Sequence, residues 1–292
     1  MEVGEELMKR VDAVRGFILK STVPIMVEIE DNKPVPVGTG NLLRINDRHF
    51  IVTAAHLFMD NPSHLEHVAI PDSRQTSGYT RILNMQYTRP RNQHVDVAVM
   101  EIIHPDSVSA LKDNWNFLTL DNVRVSVNPP GGGWLVGFPR SEYDVDGKTM
   151  IFKPITVMTA LLPSVPKGAE QPVLEGLDWF YEYSRIADVV GKSFTTTPNL
   201  EGASGAAFWD VSGQPEQGFW APEGFAKIVG VQSSSMHGAY MRVKSWWAVA
   251  RTLAKLDDEL AKAVFDKLGV APGPTSAQAG TTELGEQADP IG

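Results

Sequence analysis

The sequence predicts an all-β body framed by a helix at each end. Three observations carry this. Short segments rich in Val, Ile and Thr recur between turn signals through most of the chain. Residues 4–20 and 243–268 repeat their apolar positions at helical spacing. A strong breaker, Asn128-Pro129-Pro130-Gly131-Gly132-Gly133, divides the strand-rich part in two.

In chain order, Leu7, Val11, Val14, Phe17 and Ile18 mark the first helix, with Glu5, Lys9, Arg10 and Asp12 between them. Its structural reading is a helix packed on the body; its functional reading is a docking site for a regulatory partner protein. Ile25, Val27 and Ile29 alternate with Met26, Glu28 and Glu30, so 25–30 reads as a strand just after Pro24. Residues 35–45 read as the next strand, where Gly38 and Gly40 predict a close backbone approach or a bulge. Residues 49–53 form a third strand that delivers His56 on a short helical turn. Residues 60–94 are polar and irregular, with weak strands near 68–70 and 79–83, and 95–103 reads as a strand with Asp96 at its start.

Past the breaker, strands are expected at 134–139, 148–162, 179–186, 206–210 and 226–232, with Ser233-Ser234-Ser235 following the last as a polar loop or a substrate-pairing segment. The expected divisions are a helix at 1–22, a first strand unit at 23–120, a second at 121–242, a C-terminal helix at 243–270 and a disordered tail at 271–292, rich in Pro, Gly, Ala, Thr and Glu.

Composition narrows the function classes. The chain has 292 residues, a net charge of −9 and no long basic run, which argues against general nucleic-acid binding, since that needs clustered Lys and Arg for the phosphates. There is no cysteine, so no disulfide framework is expected, in keeping with a reducing compartment. The acidic start Met1-Glu2-Val3-Gly4-Glu5-Glu6 does not read as a signal peptide, and no run of eighteen apolar residues predicts a membrane span. A cytoplasmic protein is expected.

The chemistry concentrates in Asn199-Leu200-Glu201-Gly202-Ala203-Ser204-Gly205-Ala206. A serine hydroxyl is a weak nucleophile and needs a base and a place for the developing oxyanion. Alone, the Gly-x-Ser-Gly pattern is equally a turn before a strand. Two further stretches decide between these: Thr53-Ala54-Ala55-His56 and Asp96-Val97-Ala98-Val99. A carboxylate among β-branched residues is costly to bury without a hydrogen-bond donor, and an imidazole N–H is a suitable one. His56, Asp96 and Ser204 thus occur in the order His, Asp, Ser.

In these three motifs and their order, the chain resembles the trypsin-like, chymotrypsin-fold serine peptidases of the bacterial intracellular kind, over roughly residues 24–250. The resemblance implies two packed six-stranded antiparallel β-barrels, with His56 and Asp96 on the first and Ser204 on the second. It implies a serine endopeptidase working through a His56-Asp96-Ser204 triad on a protein or peptide substrate. It gives Gly202 and Ser204 N–H the oxyanion hole, and it gives Ser233, Ser234 and Ser235 the pairing with an extended substrate. The residue six before the serine, at the base of the primary pocket, is Pro198, which does not favour cleavage after Lys or Arg; Glu201 is a nearby substitute. Ala203 stands where a cleaved amino terminus would find its aspartate, so that activation route is not expected.

Other chemistries are weaker. His64, His67, His94 and His104 lack a zinc-ligand pattern, and Gly38-x-Gly40 lacks the rest of a dinucleotide fingerprint, so no metal and no cofactor are expected. The competing readings are a catalytically silent module that binds a peptide or partner, and a peptidase held off by its N-terminal helix.

Overall fold

The two strand units are two curled antiparallel sheets, and both terminal helices pack into the seam between them. The computed structural model describes residues 2–30, 33–184, 186–187, 194–195, 199–213 and 220–269. The expected tail at 271–292 lies outside them, as does Pro198.

The first sheet contains β1 (Thr22–Glu30), β2 (Lys33–Ile45), β3 (Arg48–Thr53), β4 (Val68–Pro71), β5 (Tyr79–Arg81), β6 (Met85–Thr88) and β7 (Ala98–Ile102), in the order β5-β4-β1-β2-β3-β7-β6. It has seven strands where six were expected. The surplus arises because one chain passage is split: Ile82 turns into the core and Asn84 takes a φ of 47°, a left-handed conformation that Asn tolerates and that separates the two strands. The three residues between β5 and β6 also join the two edges of the sheet, which forces it to curl.

Val23, Ile25, Leu42, Ile51 and Met100 fill this sheet. The outward half of β1 is covered too. Met26 packs with Phe138 and Phe152, and the carboxylate of Glu28 accepts from Arg81 at 2.6 Å and from the Tyr79 hydroxyl at 3.1 Å. The simple in-out alternation read for 25–30 therefore fails, because a small three-stranded sheet (Gln75–Thr76, Tyr143–Asp146 and Thr149–Phe152) lies close by. That sheet also takes the first part of the strand expected at 148–162; Pro154 separates it from the rest.

The second sheet contains β8 (Gly132–Gly137), β9 (Ile155–Ala160), β10 (Asp178–Glu182), β11 (Ala207–Asp210), β12 (Lys227–Met236) and β13 (Tyr240–Ser245), in the order β9-β8-β11-β12-β13-β10. A bridge between Leu161 and Tyr181 brings its two edges together. Leu135, Val157, Tyr181, Phe208, Val229 and Met241 are among the residues filling it.

Four helices of eight or more residues occur among the described residues: α1 (Glu2–Ser21), α2 (Pro105–Asn114), α3 (Trp246–Leu253) and α4 (Asp258–Leu268). The reading for 243–268 holds as two pieces, but 243–245 belong to β13; Ser245 accepts from Trp247 N–H at 3.3 Å and so caps α3. Helix α2 was not anticipated, although Pro105 at its first turn is a start signal. Val14 and Ile18 of α1, Val249 of α3 and Val264 of α4 share one core with Val52, Val99, Trp134 and Trp209 from the two sheets. The apolar face of α1 is thus occupied by its own chain. No helix among the described residues is long and apolar enough to cross a membrane.

Candidate active site

The serine loop sits where the two sheets meet, and residues of β2 hold it there. Thr39 N–H donates to the Ser204 carbonyl at 2.9 Å. The Thr39 hydroxyl donates to the Gly202 carbonyl at 3.2 Å and accepts from Phe138 N–H at 3.0 Å. Asn41 donates from Nδ2 to the Gly205 carbonyl at 2.8 Å and accepts from Ala207 N–H at 3.3 Å. The approach is close because Gly205, at φ 92°, has no side chain: a Cβ there would run into Thr53 Oγ1 and the Thr39 carbonyl. Gly38 and Gly40 marked this approach in the sequence, and β1 and β2 slip register between Ile25 and Met26, opposite Gly38. Thr39 and Asn41 themselves were missed; a small polar residue beside each glycine was the available signal.

His56 begins a four-residue helical turn after β3. Asp96 lies in the approach to β7, two residues before it, rather than inside a strand as expected. There both of its carboxylate oxygens accept from His56: Oδ1 from the backbone N–H at 2.8 Å, and Oδ2 from ring Nδ1 at 2.7 Å. With the Asp96 carboxylate accepting at Nδ1, the neutral imidazole carries its proton there, and Nε2 is then the basic nitrogen. The Asp96 side chain is 16% exposed and that of His56 44% exposed. Burial lowers the imidazole pKa, but the hydrogen bond and charge of Asp96, with Asp60 and Glu170 farther off, outweigh it and raise the pKa above its ordinary value.

His56, Asp96 and Ser204 line one cavity of about 470 Å³, together with Glu201 and Ser233, Ser234 and Ser235. Among the described residues no hydrogen bond joins His56 to Ser204. Such bonds often tighten only when substrate is present. Around the serine, Ala203 N–H donates to Leu200, Gly205 N–H to Gln232 and Ala206 N–H to Ala203. Between Glu201 and Ala207, the N–H groups of Gly202 and Ser204 are the two that find no acceptor among the described residues.

Ser233, Ser234 and Ser235 lie within β12 and not in a loop after it. The ladder skips register between Gln232 and Ser234 opposite β13. On the other side, the pairing with β11 ends at Val231 opposite Ala207. Past Gln232, β12 therefore offers an open edge among the described residues, beside the serine. Glu201 is 66% exposed and stands 3.7 Å from Arg140, at the rim of the cavity rather than its base. The histidines weighed as ligands do not converge: no group of three or more metal-ligating side chains occurs among the described residues.

No family model matches the sequence, and no curated protein matches it. Solved structures give two partial likenesses. One carries the description "Rv3671c protease, inactive form", with a TM-score of 0.45 and 12% identity over 85% of this chain and 94% of that one. The other comes from work on the intrinsically disordered VPg protein of Sesbania mosaic virus, with a TM-score of 0.44 and 12% identity over 79% of this chain and 87% of that one. At these values neither bears on what this chain does. Its own two curled antiparallel sheets and terminal helices are consistent with a chymotrypsin-like fold.

Proposed function

We propose that the chain is a serine endopeptidase with His56, Asp96 and Ser204 as its triad. The observation that carries the reading is the doubly bonded His56–Asp96 pair opening onto the same cavity as Ser204. Ser204 Oγ attacks the peptide carbonyl carbon while His56 Nε2 takes its proton. The oxyanion is met by Gly202 and Ser204 N–H, both without a protein acceptor among the described residues. The C–N bond then breaks, and His56 returns the proton to the leaving amine. Water repeats the sequence on the acyl-enzyme, regenerating Ser204. The substrate is a protein or peptide in extended form, paired to the open edge of β12 at Ser233, Ser234 and Ser235, where main-chain bonds give affinity.

A fluorophosphonate probe tests this. The wild-type protein should be labelled, Ser204→Ala should not, and His56→Ala and Asp96→Asn should react far more slowly; loss of the aspartate's function in a related triad costs about 10⁴ in kcat. Labelling that persists in Ser204→Ala, or a well-folded wild type that never reacts, removes the triad. The second reading, a silent module that binds a peptide along the open edge of β12, then stands.

A further inference from the structure

The triad and the open edge leave one part of the cavity unaccounted for. Arg242 and Lys244 line it, and they are buried, 6% and 1% exposed. Sheet register puts them there. Arg242 is opposite Ser234 on β12 and Phe180 on β10, and Lys244 is opposite Asp178. Opposed residues and residues two apart in a strand share a face. Ser234, Arg242, Lys244 and Asp178 therefore project from one face of the second sheet.

The charges there do not balance. The Asp178 side chain is wholly buried and pairs with Lys244, and with Arg242 at 3.4 Å. It also accepts from Leu174 N–H at 2.8 Å. Among the described residues it is the one carboxylate that either cation touches, so two buried cations share a single buried anion. Arg242 Nη2 donates to the Glu170 and Pro172 carbonyls at 2.7 and 3.2 Å, and the guanidinium lies 5.1 Å over the Phe180 ring. Its Nε is buried without a partner. Burial, opposed by Asp178, holds the Lys244 ammonium below its ordinary pKa, the sign expected where positive charge is under-compensated. The other carboxylates of the cavity do not correct this. Both oxygens of Asp96 are taken by His56, and Glu170 and Glu201 are exposed to solvent, which screens their charge. A buried charge is costly unless paired, so an incoming anion has much to gain here.

We propose that Arg242 and Lys244 form a carboxylate subsite, which selects peptides carrying an Asp or Glu side chain one fixed step from the bond presented to Ser204. The inference rests on the peptide-binding reading of the cavity. A peptide paired to the edge of β12 sends alternate side chains to the face that Ser234 shares with Arg242. One of these side chains meets the two cations.

The test uses peptide binding to the full chain carrying Ser204→Ala, so it does not depend on turnover. Octapeptides blocked at both ends are compared with Glu or Gln at each position in turn. A second set with a free C-terminus separates a side-chain carboxylate from a chain-end one. At one position Glu should bind about tenfold tighter than Gln, the lower end for a charge-assisted hydrogen bond, and rising salt should narrow the gap. Arg242→Met and Lys244→Met, each checked for folding by circular dichroism, should bring the Glu-to-Gln ratio towards one. Equal binding of Glu and Gln at every position, a preference confined to the free C-terminus, no peptide binding at all, or a preference that survives both Met variants overturns the subsite. Fluorophosphonate labelling of wild type reports separately on the triad.

Discussion

Thr39 N–H, on the strand next to the one that delivers His56, donates to the carbonyl oxygen of Ser204 at 2.9 Å. A main-chain bond therefore ties the backbone of the proposed nucleophile to the half of the molecule that carries the proposed base. Each half supplies part of the proposed triad, so the geometry of the site is only as firm as this seam. Beside it, the Thr39 hydroxyl and the Asn41 amide add four side-chain bonds to the same loop and its surroundings.

Asn41→Ala should therefore damage both stability and reactivity. Its amide satisfies the Gly205 carbonyl and Ala207 N–H in a buried setting. Leaving each without a partner costs about 1–3 kcal/mol, so a total loss of about 2–6 kcal/mol is expected by urea denaturation. Fluorophosphonate labelling should slow in the protein that remains folded. A loss under about 1 kcal/mol would mean that the seam does not depend on Asn41.

The pH profile follows from the His56–Asp96 pair. General-base action needs neutral His56, whose pKa is raised above the ordinary value of about 6.5. Labelling should thus increase with pH through a midpoint above 6.5, and Asp96→Asn should move that midpoint down as well as lower the rate. For stability the sign is opposite: the pair favours the folded state fully below the unfolded histidine pKa, and that contribution is lost as pH rises through the folded one. A limb at or below 6.5 in wild type would remove the influence assigned to Asp96.

The three positions proposed as a triad stand out in the sequence because each has a distinctive local setting: a strand end before His56, apolar flanks around Asp96, glycines around Ser204. Their approach in space was legible only through resemblance, since no period or spacing reports a contact between residues so far apart in the chain. The same limit hid Asn41 and Arg242. Asn41 reads as one polar residue in a strand, yet its partners lie at 205 and 207. Lys244 falls inside the stretch read as the last helix and Arg242 just before it; both lie instead on β13, buried, with the Glu170 and Pro172 carbonyls against Arg242. The start of the last helix was misread by three residues because Val243 fits either period; pairing with Gln232 decides for the strand.

Gly205→Ala tests the fit of the serine loop. The residue has φ 92°, and a Cβ would collide with Thr53 Oγ1 and the Thr39 carbonyl, and lie 2.9 Å from Ala54 N. Left-handed strain alone costs about 1–3 kcal/mol for a non-glycine residue, and rigid backbone on the other side leaves no room to relax. The variant should lose labelling almost completely, with a lower melting temperature. Gly224→Ala, where nothing lies within 4 Å of the added carbon, serves as the control and should behave as wild type. Full labelling of Gly205→Ala would show that the loop can shift without harm to the site.

Removing residues 1–20 should destabilise the protein rather than release activity. Val14, Ile18 and Leu19 are buried in the core that joins the two sheets, and the Phe17 ring stands edge-on to Trp209 at 6.2 Å. Fully burying an aliphatic side chain contributes about 1.5–3 kcal/mol, so losing three costs on the order of 5 kcal/mol, much of what holds an ordinary domain together. The truncated chain should melt well below the full one and label more weakly at 25 °C. The opposite outcome, a folded truncated protein that labels faster, would make α1 a removable inhibitor and revive the reading in which a partner controls the enzyme by drawing that helix away.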